Sequence, residues 1–221
     1  MLLTKKKLID SLEPNSVVSF VGYANFRRIP VSVLNQIYWY VDGITLTNVF
    51  RALNIYVEKQ SFDFTGLAEF IFMWCIKNNY TIHFIGGSEN ESRIFFKKIK
   101  AKYQTLKISC QNGYDSLEGF DFNDLAGLDV CVYGLGAPLQ EKLAIRNKNL
   151  FKYSFTCGAF ITQTSKSEKS YYPDFYVKNN LRWLYRVFKE NGHFFRLFVA
   201  FLYLPKIYVK AKKIIDKNNY K

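Results

Sequence analysis

The stretch Val130–Lys142, Val-Cys-Val-Tyr-Gly-Leu-Gly-Ala-Pro-Leu-Gln-Glu-Lys, constrains the fold more than any other part of this chain. The stretch from Leu128 to Tyr133, apolar but for Asp129, predicts a buried strand. Gly134 and Gly136 permit a tight turn after it, and Pro138 suits the first turn of a helix. A strand that ends in glycine and feeds a helix N-terminus is where open α/β sheets bind phosphorylated ligands. Gln140 and Glu141 are expected on the rim of that site.

The same grammar recurs along the chain. Val17–Val21 reads as a first strand, ending at Gly22-Tyr23-Ala24-Asn25. Pro30 is expected to start a helix that runs to about Tyr38, and Tyr40-Val41 then leads into Asp42-Gly43. Ile44–Leu53 reads as a helix. Thr65 is the expected N-cap of a helix over Gly66–Lys77, where Leu67, Phe70, Ile71 and Trp74 recur at helical spacing. Thr81–Ile85 is a strand that stops at Gly86-Gly87-Ser88. A basic amphipathic helix over Ser92–Lys102, a short strand over Lys107–Cys110 and a helical turn over Phe122–Ala126 follow. After the Pro138–Asn147 helix comes a strand over Phe151–Thr156, ending at Cys157-Gly158. Strands alternating with helices predict an α/β fold: a Rossmann-like, mostly parallel sheet flanked by helices, with ligand loops at its carboxyl edge.

Beyond Thr162 the character changes. Thr162–Ser170 lacks large apolar residues and reads as a loop; Leu181–Phe188 is helical; Asn191-Gly192 breaks it; Phe194–Leu204 is a second apolar segment stopped by Pro205. The division expected is a catalytic core over residues 1–162 and a basic, aromatic, helical appendage over residues 163–221. Net charge is +13, and from Lys178 onward eleven Lys/Arg face two acids, Glu190 and Asp216. Such an excess matches nucleic acid, anionic lipid or a phosphorylated substrate. Lys and Arg interleaved with so many Phe, Tyr and Trp residues suit a headgroup interface better than a nucleic-acid face. No run reaches the roughly 20 apolar residues of a spanning helix. Cys75, Cys110, Cys131 and Cys157 are widely spaced in apolar runs and read as free thiols in a reducing compartment. The expected location is the cytoplasm, peripheral on the inner face of the cell membrane.

Several constellations carry chemistry. Asp42-Gly43 is a common turn dipeptide, and equally a carboxylate at a strand's carboxyl edge, free to act as a general base. Gly86-Gly87-Ser88 is either a tight turn or a backbone cradle for a diphosphate. It lacks the Gly-Lys-Ser/Thr end of a P-loop. His83 lies inside a strand and reads as structural. His83 and His193 are not spaced as a metal pair, and no Asp-x-Asp motif occurs. No cofactor and no metal is expected.

Six segments in order resemble the bacterial WecG/TagA/CpsF glycosyltransferase family, glycosyltransferase family 26: Tyr23-Ala24-Asn25, Asp42-Gly43, Phe84-Ile85-Gly86-Gly87, Gly136-Ala137-Pro138-Leu139-Gln140-Glu141, Gly158-Ala159-Phe160 and Trp183-Leu184-Tyr185-Arg186. The likeness spans roughly Val17 to Leu204. It implies transfer of a sugar, often N-acetylmannosamine, from a UDP-sugar to a polyprenyl-diphosphate-linked saccharide, with inversion and without a metal. It makes Asp42 the base. It places Tyr23, Asn25, Gly86, Gly87, Gly136, Gln140 and Glu141 at the donor. Arg182, Arg186 and Arg196 would meet the diphosphate or the acceptor. It makes the appendage the contact with an anionic membrane surface, and it implies no nucleic acid. Tyr23 stands where the family has threonine, which bears on donor choice. The alternative within the same fold is a non-catalytic module that binds a nucleotide sugar and the membrane.

Overall fold

A computed structural model of the chain describes residues 12–113, 120–167, 173–179, 181–189 and 202–217. Six strands form one sheet: β1 (Ser16–Gly22), β2 (Tyr38–Asp42), β3 (Thr81–Gly86), β4 (Lys107–Gln111), β5 (Val130–Gly134) and β6 (Tyr153–Thr156). Their order is β2-β1-β6-β5-β3-β4, and every pairing is parallel. The expected Rossmann-like sheet is therefore present. The helices between them are α1 (Tyr23–Arg28), α2 (Val31–Leu34), α3 (Ile44–Ala52), α4 (Ala68–Lys77), α5 (Glu89–Lys102), α6 (Leu139–Arg146) and α7 (Phe160–Lys166). Short helices α8 (Asp174–Lys178) and α9 (Arg182–Lys189) follow, and then α10 (Leu204–Lys217).

β1, β3 and β5 are legible because both faces of the sheet are covered there and most of their residues are apolar, whereas the edge strand β4 is Lys-Ile-Ser-Cys-Gln and partly exposed. Side chains alternate between two layers. Val18, Phe20, Ile82, Phe84, Val130, Val132 and Phe155 pack under α4, α5 and α7. On the other face Val21 and Val41 meet Phe26 and Ile29 of α1 and Leu46, Val49 and Phe50 of α3. Val17, Ile85, Cys131 and Tyr133 form a neighbouring cluster with Ala144 of α6. Phe84 lies 4.9 Å from Phe95 and 6.0 Å from Phe72, ring centre to ring centre. Removing such a ring costs about 3–5 kcal/mol.

Three local expectations give way to tertiary contacts. The helix after Pro30 ends at Leu34, and Tyr38 instead pairs with Val18 as the first residue of β2. Thr65 does not cap α4: its N–H donates to Asp63 Oδ1 at 2.8 Å, and the helix starts at Ala68. The polar run after Phe160 is not a loop. It forms α7, because Lys98 of α5 donates to the carbonyls of Thr164, Ser165 and Ser167 at 3.1, 2.9 and 2.6 Å. Glu91 adds bonds from Thr162 Oγ1 at 3.1 Å and Lys166 Nζ at 3.0 Å. Residue 162 thus falls inside a helix of the core. Pro205 lies in the first turn of α10, where its missing N–H costs nothing, and most of the segment it was expected to stop lies outside the described residues.

α10 is seated on the sheet's second face. Ile207, Ala211 and Ile214 are buried beside Phe26, Val33 and Phe50. Lys210 reaches the carbonyls of Phe26 and Ile29 at the end of α1. Its ammonium lies 4.7 Å from the centre of the Phe26 ring, and burial lowers its pKa to about 8. Arg27 stacks over Tyr203 at 4.2 Å. The Asn191-Gly192 break, most of the Phe194–Leu204 segment, His193 and Arg196 lie outside the described residues.

Candidate active site at the carboxyl edge

Parallel pairing sends every strand's carboxyl end to one edge. Gly22 pairs with Asp42 there, and Gly86 with Gly134. The ladder between β1 and β6 stops earlier, at Val18 and Phe155. The chain also leaves these two strands toward opposite faces: α1 packs with the Val21 layer, and α7 with the Phe155 layer. This is the crevice at a switch in strand order where open sheets take their ligands.

Helices begin around the crevice with bare N-termini. α1 starts after Gly22, α3 after Gly43, α6 after Pro138 and α7 after Ala159, none with a side-chain cap. Among these four, the one acid in a first turn is Glu141, and it is turned inward. Uncapped N–H groups and the positive ends of the longer helices α3 and α6 favour an anion. Three glycines line this rim in left-handed conformations: Gly43 (φ 89), Gly136 (φ 76) and Gly158 (φ 53). A Cβ on any of them would meet nothing within 4 Å, so the backbone there faces open space. Gly136, expected at the donor, shares this open backbone with Gly43 and Gly158.

α5 differs. Ser88 and Glu91 form a capping box, with Ser88 N–H donating to Glu91 Oε2 at 3.0 Å and Glu91 N–H to Ser88 Oγ at 3.3 Å. A carboxylate of the chain thus occupies the N-terminus where a diphosphate cradle was one reading. Hydrogen bonds from Ser88, Lys166 and Thr162 outweigh burial and lower the Glu91 pKa. Gly86 and Gly87 are buried, and their glycines have a packing reason. A Cβ on Gly86 would lie 2.5 Å from Gly134 O, and one on Gly113 would lie 2.6 Å from Gly86 Cα. The tight-turn reading of this motif is the one the geometry favours.

The remaining expected residues are distributed as follows. Asp42 ends β2, partly exposed, beside Gly22. Tyr23 and Asn25 lie in the first turn of α1, both partly buried, and burial raises the Tyr23 pKa. These three residues share the ends of two adjacent strands. The loop carrying Gly136 stands two strands away, roughly 10 Å across the crevice. Gln140 and Glu141 are not on the rim: each is 1 % exposed, beneath the first turn of α6. With Ala144 they form the buried face of α6. Arg182 and Arg186 both fall within α9. α9 packs on α8 through Tyr185 and Tyr176, with ring centres 5.2 Å apart.

Two polar residues escaped the sequence reading. Ser19 and Thr156, both buried, sit within apolar strands on the face toward α6. Ser19 Oγ donates to Glu141 Oε1 at 2.9 Å, Thr156 Oγ1 donates to Ser19 Oγ at 2.9 Å, and Gln140 Nε2 donates to Glu141 Oε1 at 2.8 Å. Their sequence signal was a hydroxyl inside a strand otherwise built of Val and Phe. His83, as expected, is structural. It is buried, with Nδ1 2.7 Å from Ser109 Oγ, and desolvation pushes its pKa down to about 4. The four cysteines are free thiols whose pKa values burial raises. Among the described residues no three His, Cys, Asp or Glu side chains gather as a metal site.

An all-parallel sheet with bare helix N-termini around a switch-point crevice is the arrangement in which open α/β sheets take phosphorylated, nucleotide-type ligands at their strand ends. The chain matches the Glycosyl transferase WecG/TagA/CpsF family over residues 5–217, belongs to that family, and is a glycosyltransferase. It is also 32% identical over 229 residues to a UDP-Gal:alpha-D-GlcNAc-diphosphoundecaprenol beta-1,4-galactosyltransferase of Shigella boydii, a match that covers 96% of this chain and 94% of that protein.

Proposed function

We propose that this glycosyltransferase moves a hexose from a UDP-sugar to a polyprenyl-diphosphate-linked N-acetylglucosamine, with inversion and without a metal. The observation that carries the reading is the near full-length likeness to an enzyme named for that donor and acceptor class. It favours a galactose-type donor over N-acetylmannosamine. The product then belongs to cell-surface polysaccharide synthesis, as capsule or O-antigen.

The carboxyl edge supplies the parts. Asp42 takes the proton of the acceptor hydroxyl. The freed oxygen attacks the anomeric carbon, the bond from that carbon to the phosphate oxygen breaks, and UDP leaves from the opposite face. Negative charge that develops on the diphosphate is met by the N-termini of α3 and α6 and by Arg182, Arg186 and Arg196. Tyr23, Asn25 and Gly136 border the donor, with Gly43 and Gly158 letting the backbone come close.

The membrane-bound acceptor calls for a surface contact. No described helix is long and apolar enough to cross a membrane. α10 presents Leu204, Tyr208 and Val209 together with Lys206, Lys212 and Lys213 on its exposed side. Apolar side chains ringed by lysines suit a peripheral seat on the anionic inner face.

The test is transfer from a panel of UDP-sugars to a lipid-diphosphate N-acetylglucosamine acceptor, with and without EDTA. Galactosyl transfer that persists in EDTA is expected. Complete loss in EDTA overturns the metal-free mechanism, and a different preferred sugar overturns the donor. Sedimentation with phosphatidylglycerol vesicles, weakened by salt, is expected for the membrane contact; no sedimentation overturns it.

A further inference from the structure

The end of β1 is joined to β6 in an unusual way. The backbone ladder between them ends at Val18 and Phe155, whereas β1 stays paired with β2 to Gly22 and β5 with β6 to Thr156. Past that point side chains take over. Phe20 N–H donates to Thr156 Oγ1 at 3.4 Å, Thr156 Oγ1 donates to Ser19 Oγ, and Ser19 Oγ donates to Glu141 Oε1. The gap in the ladder is the crevice itself. Glu141 spans it from α6, whose first turn follows the Gly136 loop.

Stability alone does not explain this carboxylate. It is 1 % exposed, and its Oε2 has no hydrogen-bond partner among the described residues; nor does Gln140 Oε1. A buried acid with an unpaired oxygen is costly, and an apolar side chain of similar volume is commonly as stable or more so. What an apolar residue cannot supply is an acceptor shared by β1 and α6.

We propose that Glu141 is a positioning residue of the transfer reaction: its carboxylate ties the first turn of α6 to Ser19 and thereby sets the spacing between the first turn of α1, with Tyr23 and Asn25, and the Gly136 loop. Resting on the proposed function, this makes Glu141 act through these two segments and not by contact with the donor. Its work is done by hydrogen bonds, not by charge or proton transfer.

The test compares Glu141→Ala, Glu141→Gln, Ser19→Ala and the double variant Ser19→Ala/Glu141→Ala in the full chain. Misplacing a loop by a fraction of an ångström is expected to raise the donor KM about tenfold or more in Glu141→Ala, with a smaller change in kcat. Glu141→Gln keeps an acceptor carbonyl and is expected to recover most of that loss. Ser19→Ala is expected to reproduce part of the effect, and the double variant to be no worse than Glu141→Ala, since both cut one link. Additive effects overturn the proposal. So does a Glu141→Gln variant as impaired as Glu141→Ala, which would mark a proton-transfer role, or variants that lose melting temperature with unchanged KM. If Glu141→Ala does not fold, Ser19→Ala and Thr156→Val carry the comparison. A wild-type chain without UDP-sugar turnover defeats the proposed function; an active wild type with unaltered variants defeats only this inference.

Discussion

Asp42 and Gly22 are register partners at the carboxyl ends of β2 and β1, so Asp42 ends its strand beside the start of α1, whose first turn carries Tyr23 and Asn25. A general base must be placed before its basicity matters. Parallel pairing puts Asp42, the proposed base, at the sheet's carboxyl edge. Asp42→Asn keeps the shape and removes the proton acceptor. It is expected to lower kcat by about a hundred- to ten-thousand-fold with UDP affinity unchanged, as read by steady-state kinetics and calorimetry. Near-normal turnover would remove Asp42 from the role.

Two glycines from the same strand-end motifs separate packing from function. An alanine at Gly86 puts its Cβ 2.5 Å from Gly134 O in the middle of the sheet edge. That overlap is expected to cost about 2–3 kcal/mol in chemical denaturation, with UDP bound normally by what remains folded. An alanine at Gly136 meets no neighbour but must hold φ at 76, which costs about 1 kcal/mol. Its main expected effect is weaker UDP binding, because the added methyl enters the crevice. The opposite ranking would place the ligand at Gly86.

α10 is expected to behave as part of the core. Ile214→Ala should lower stability by about 2–3 kcal/mol, the cost of a cavity under a packed helix. Lys210→Met should cost about 1–2 kcal/mol by leaving the carbonyls of Phe26 and Ile29 without their donor. Urea denaturation checks both. Unchanged midpoints would mean that the helix does not stay docked in solution.

Acid should weaken the fold through His83. Its pKa falls from the ordinary 6.5 to about 4, because burial disfavours the charged ring. Between those values the unfolded chain binds a proton that the folded chain refuses. Stability is therefore complete above about pH 6.5 and declines as pH drops toward 4, by up to about 3 kcal/mol. Melting temperatures at pH 7 and 4.5 should differ less in His83→Gln than in the wild type.

The strand ends were legible in the sequence, and the buried network was not. Val17–Val21, Thr81–Ile85 and Val130–Tyr133 read as strands because sheet residues covered on both faces are mostly apolar, Ser19 and His83 being the exceptions. Glycines after them read as loop ends, since few other residues turn so tightly. The Asp42-Gly43 and Gly136–Glu141 motifs could be recognised one by one. Their roles relative to each other could not, because that depends on strand order. Gln140 and Glu141 were placed on a rim, yet they lie beneath α6.

Residue pattern alone determined the class of fold, the edge on which its loops gather and the family to which the chain belongs. Those follow from local chemistry: apolar runs, glycine breaks and short motifs, each contained within a dozen residues. Tertiary structure decided where the polar atoms find partners. Ser19 and Glu141 are 122 positions apart, and Lys98 caps carbonyls near residue 165. Lys210 holds the end of α1 from 184 residues away. A hydrogen bond between distant segments leaves no periodicity in the chain. Its cost and benefit exist only once the low-dielectric interior has formed around it.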